Sequence, residues 1–162
     1  MVESVFMAEL SWPEWEARIQ AGAIIFLPLG ATEQHGPHLP LNVDVILPTA
    51  VAERVARQLG GLVAPTLNYG YKSMPRSGGG QSFPGTASLD AATFSHTIRD
   101  VIRDMGLHGA RRFVILNGHF ENGWPSVEGL DLALRDLRAE GIRDVTAMRL
   151  EYWDFVEPAT LD

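Results

Sequence analysis

Apolar positions recur along the chain with two different periods, and the changes between them divide it into short strands and longer helices. The run Ala23–Pro28 (AIIFLP) is apolar at almost every position, the pattern of a strand buried on both faces of a parallel sheet. From Val43 to Leu59 the residues Val51, Val55, Ala56 and Leu59 follow helical spacing, and Gly60 and Gly61 end the pattern. Leu62–Pro65 reads as a second short strand. A helix from a cap at Ser88 to Leu107 carries one stripe of Leu89, Phe94, Ile98, Val101, Ile102 and Met105. Beyond it lie a strand at Phe113–Leu116, a helix over Trp124–Glu140 stopped by Gly141, and a strand at Val145–Leu150. Ahead of them all, Ser11 caps a short helix through Trp12, Trp15 and Ile19.

Strands alternating with helices of this length predict an α/β fold, a mostly parallel sheet flanked by helices on both faces in three layers. With 162 residues, 46% of them hydrophobic, residues 1–162 make one domain with material for a real core. Ligands in such sheets gather at the carboxyl ends of the strands. A formal charge of -7 argues against nucleic acid as a partner and leaves a small neutral or cationic molecule. There is no cysteine, so any metal must be held by histidines and carboxylates. No apolar run has signal-peptide or membrane-span character, which gives the expectation of a cytoplasmic protein with no membrane partner.

Two polar clusters fall at predicted strand ends. Glu33, His35 and His38, with Asp44 a little further on, follow the strand ending at Pro28, while His119 and Glu121 follow the one ending at Leu116. Carboxylates gathered at one sheet edge repel one another, and a divalent ion, or a pair sharing one carboxylate, is the usual way to keep them ionised. Singly, each residue has an ordinary reading: Asp44 a helix N-cap, His119 a satisfied core histidine, Glu33 a solvated charge, His38 a loop-stabilising group. Their coincidence at two strand ends favours a metal centre. His96, inside a helix, and His108, just after it, are read as surface groups.

The run LPLGATEQHGPHLPLNVDVILPTAVAERVA (Leu27 to Ala56), the loop from Tyr69 to Asp90, NGHFENG (Asn117 to Gly123) and YWDF (Tyr152 to Phe155) together resemble the creatininase (creatinine amidohydrolase) family. The resemblance implies two divalent ions, Zn²⁺ and/or Mn²⁺, one held by Glu33, Asp44 and His119 and the other by His35, Asp44 and Glu121. It also implies hydrolysis of creatinine to creatine, with Glu121 and His119 at the catalytic centre. Ser77 and Phe120 would contact substrate, and Trp153 would lie on a covering flap. Phe120 stands where creatininases usually have tyrosine, which opens the alternative of a related formamide or cyclic-amide hydrolase. The family continues beyond the position of Asp162 with a segment that moves a proton to the leaving nitrogen. The expectation is therefore a strong metal site with weak or absent turnover by these residues alone, or a non-catalytic metal-binding remnant. Uncovered apolar surface would accompany such a short chain, and the resemblance implies a homo-oligomer, commonly a hexamer.

Overall fold

A computed structural model describes residues 4–74 and 80–155. Ser11 opens the first helix, α1 (Trp12–Gln20), where the Glu14 carboxylate accepts from the Ser11 backbone N–H at 2.7 Å and so closes a capping box. The Ile-rich run forms β1 (Ile25–Leu29), buried at every position. Next come α2 (Val43–Leu59) and the short β2 (Leu62–Val63). α3 (Ala91–Leu107), β3 (Arg112–Asn117), α4 (Gly123–Ala139) and β4 (Thr146–Glu151) complete the alternation. Most bounds lie within one or two residues of expectation, and the cap of α3 differs. Asp90 rather than Ser88 is the residue before α3, and the Ser88 hydroxyl instead accepts from the Gln81 side chain at 2.7 Å.

All pairings within the four-stranded sheet are parallel, in the order β2-β1-β3-β4. Alternation along the strands supplies both faces of the core. Ile25, Leu27, Phe113 and Ile115 join Phe94, Ile98 and Ile102 of α3, whereas Phe26 and Leu116 face Ala52 and Ala56 of α2. Full burial of each large aliphatic side chain stabilises by roughly 1.5–3 kcal/mol relative to exposure. Helices thus cover both faces, and the architecture is the predicted three-layer α/β fold.

The two faces are covered unequally. α2 reaches only part of its side, and a groove of about 500 Å³ stays open there between Val51, Val55, Val114, Leu116, Leu150 and Phe155. The expected uncovered apolar surface is therefore present. No helix among the described residues is long and apolar enough to cross a membrane.

The strand order also fixes where chemistry can collect. From β1 the chain passes through α2 to the outer neighbour β2, and from β3 it passes through α4 to β4 on the opposite side. β1 and β3 lie side by side, so their following loops diverge and leave a crevice between them, the usual binding position in open α/β sheets.

Candidate metal centre

Both polar clusters flank that crevice, and glycine is what lets the first turn of α2 come between them. A Cβ on Gly30 would lie 2.8 Å from the Asp44 carbonyl oxygen, and one on Gly118 would lie 2.5 Å from the same oxygen. The backbone ends of β1 and β3 therefore both rest against Asp44. Asn42 precedes α2, so Asp44 is not the helix cap; its side chain is buried and turned into the crevice. Pro48 has no N–H to offer the Asp44 carbonyl in the ordinary helical bond.

Asp44 lies between two imidazoles. Its Oδ1 is 3.1 Å from His35 Nε2 and its Oδ2 is 2.9 Å from His119 Nδ1. Glu33 Oε1 approaches the same His119 nitrogen at 3.5 Å. Glu33, His35 and Asp44 each offer a ligand atom, all within 4.8 Å of one another, a spacing that one cation can satisfy. Glu121 approaches from the other edge of the ring, with its Oε2 3.3 Å from His119 Nε2. Oxygen and imidazole donors converging in this way suit Zn²⁺ or Mn²⁺.

His119 is 3% exposed, too buried to rely on water for its polar atoms. Nε2 lies 3.0 Å from the Tyr71 carbonyl oxygen, which calls for an N–H there, while Nδ1 faces Asp44 and Glu33, donating to the carboxylates when the ring is protonated and offering its lone pair to a cation when it is not. Tyr71 is held in turn, its N–H donating to Asn122 Oδ1 at 2.7 Å while Asn122 Nδ2 donates to the Gly30 carbonyl at 3.0 Å. Burial by itself would lower the His119 pKa, but the Asp44 hydrogen bond and the charges of Glu33, Asp44 and Glu121 raise it on balance. Three carboxylates around one imidazole attract a proton for the same reason that they attract a metal ion.

The cavity measures about 310 Å³, and Phe120, Tyr152 and Trp153 line it beside the ligand set. Phe120 is 73% exposed at the rim. Tyr152 and Trp153 meet edge to face at 5.0 Å, and the Tyr152 hydroxyl has a raised pKa from burial and the nearby Asp44 charge. Glu33 is steadied by the Ser73 hydroxyl, which donates to Oε2 at 2.7 Å. Ser77 lies outside the described residues. His38 is exposed, and His96 and His108 belong to α3 and its end, away from the cavity lining.

Ser73, Asn117, Asn122, Tyr152 and the Tyr71 carbonyl escaped sequence reasoning. Asn117 and Asn122 carried the clearest signal, as polar residues bracketing the glycine–histidine turn at the end of an apolar strand.

The sequence model of the creatininase family, described as creatinine amidohydrolase, matches residues 8–160. A creatinine amidohydrolase of Pseudomonas putida is 57% identical over 163 residues, covering 99% of this chain and 63% of that protein. Among solved structures, a mutant creatininase of Zn-Zn type is 56% identical with a TM-score of 0.94, the match covering 98% of this chain and 62% of that one. A creatininase Mn structure is 56% identical with a TM-score of 0.93, covering 98% and 63%. The chain thus spans less than two thirds of the length of these relatives.

Proposed function

The chain belongs to the creatininase family, and from that premise we propose that it hydrolyses a cyclic amide, converting creatinine and water to creatine in the cavity between the β1 and β3 loops. The convergence of Glu33, His35, Asp44, His119 and Glu121 at the crevice carries this reading. Glu33, Asp44 and His119 would hold one divalent ion and His35, Asp44 and Glu121 a second, with Asp44 shared. Zn²⁺ and Mn²⁺ both fit this donor set. When bound, such ions lower the pKa of water and polarise a substrate carbonyl.

The chain's own side chains do the remaining work. The Tyr71 carbonyl keeps the His119 proton on Nε2, so Nδ1 is presented as a ligand. Ser73 holds one oxygen of Glu33 and leaves the other for the ion. Phe120 and Trp153 supply flat apolar walls on which a small ring can rest. Ser77 would add a substrate contact from the loop before Gly80. Self-association is part of the same reading, favoured by the open apolar groove beside β4.

The test is creatine formation from creatinine by the chain loaded with Zn²⁺ or Mn²⁺. Turnover that disappears on chelation and in Glu121→Gln supports the reading. A chain that binds the ions and hydrolyses a formylated amine but not creatinine overturns the substrate assignment while leaving the metal centre standing.

A further inference from the structure

His119 is held by more than its ring contacts. Asn117, fully buried at the end of β3, uses its side chain to close both backbone polar groups of His119. Its Nδ2 donates to the His119 carbonyl at 2.7 Å, and its Oδ1 accepts from the His119 N–H at 3.2 Å. The second proton of that amide nitrogen goes to Glu151 Oε2 at 2.6 Å. Glu151 is the register partner of Asn117 on β4. Its other oxygen pairs with Arg149, whose Nε donates to Ser126 Oγ at 2.8 Å. Ser126 then donates to the Gly123 carbonyl at 2.8 Å.

These bonds form a continuous path from β4 to both ends of the turn that carries His119 and Glu121. One end is gripped at Asn117 and His119, the other at Gly123 and Ser126. The Glu151 N–H also donates to Asp154 Oδ2 at 3.1 Å, so the same residue ties in the turn that bears Trp153. None of Arg149, Glu151 and Asn117 lines the cavity.

We propose that Glu151, acting through Asn117, is the positioning residue that fixes the His119 backbone, and that Arg149 sets the orientation of Glu151. The inference rests on the metal reading above. Its chemistry is directional. Glu151 accepts from Asn117 on one side and from Arg149 on the other, so a carboxylate satisfies both while a glutamine satisfies only one. Whichever way the Glu151→Gln amide turns, its NH₂ meets another donor. The turn then loses its fixed geometry without losing any atom of the metal site.

The experiment is calorimetric Zn²⁺ titration of the full chain, with circular dichroism and thermal melts to verify folding. Glu151→Gln is expected to weaken Zn²⁺ binding by roughly 10- to 100-fold, the usual consequence of losing a partner behind a metal ligand. Asn117→Asp, which faces Glu151 with a second carboxylate, is expected to do the same. The double variant N117D/E151Q restores the donor–acceptor pair between positions 117 and 151 but not the bond to the His119 carbonyl, so it should bind Zn²⁺ more tightly than N117D alone, which a general weakening of the fold would not do. Should E151Q fail to fold, Arg149→Gln is read in the same way, with a smaller loss of affinity. Wild-type affinity in a folded E151Q or R149Q, or a double variant that binds no more tightly than N117D, overturns the proposal alone. A wild-type chain that binds no Zn²⁺ overturns the metal reading and this proposal together.

Discussion

The two loops that meet at the crevice are built in opposite ways. The turn after β3 is closed: Asn117 and Asn122 are fully buried, His119 is 3% exposed, and the polar side chains that hold it bond to backbone or to each other. The loop after β1 is open, with Glu33 and His35 half-buried and the stretch 36–42 exposed. In the closed turn a lost partner leaves a desolvated group with nothing to replace it, so fold and metal site should fail together. Around the open loop water can take the place of a partner, so the metal site should fail alone. On the proposed metal reading His119 would be a fixed ligand, and His35 and Glu33 ligands that can adapt to an arriving ion.

Gly118→Ala should separate the two most sharply. Its Cβ would meet the Asp44 carbonyl oxygen and Pro48 Cγ, both at 2.5 Å. The expected cost is about 3 kcal/mol in urea unfolding of the metal-free chain, with loss of both ions. A variant as stable as the wild type would break the comparison. His35→Ala, on the open side, should remove one zinc equivalent by elemental analysis while changing the stability of the metal-free chain by less than about 0.5 kcal/mol.

Ser73→Ala tests the prop beneath Glu33. Zinc affinity should fall about tenfold, measured by competition with a chromophoric chelator. The smallest effect is that of pH. Because the folded His119 has a raised pKa, its protonated form stabilises the metal-free chain below about pH 6.5, and that contribution disappears as pH rises through the raised value. The Tm difference between the chelated wild type and His119→Gln should therefore shrink by a few degrees from pH 6 to about pH 9. Zinc competes with the same proton, so loading should strengthen over that range.

Sequence periodicity located the sheet strands and α-helices of the described residues because the apolar runs set the period, and α2 matched from Val43 to Leu59. Short 3-10 turns such as Phe120–Asn122 carry no such period. Motif spacing likewise brought out the polar side chains that gather at the crevice, since Glu33, His35, His119 and Glu121 follow strands. Asp44 was less legible. Its position at a helix start fits an ordinary cap, and only the strand order, which puts β1 beside β3, turns it into the group between the two histidines. The supporting bonds from Ser73 to Glu33, from Asn122 to Gly30 and from Asn117 to Glu151 were not legible. They cross between segments far apart in the chain, as from Asn117 to Glu151, and no local pattern encodes such a pairing.

Crystals grown with Mn²⁺ or Zn²⁺ and measured at the metal absorption edge test the central claim directly. Two anomalous peaks roughly 3.5–4 Å apart are predicted, one touching Glu33, Asp44 and His119, the other His35, Asp44 and Glu121. A single peak on the β1 loop, or His35 and Asp44 standing apart from His119 and Glu121 with no ion between them, would contradict it.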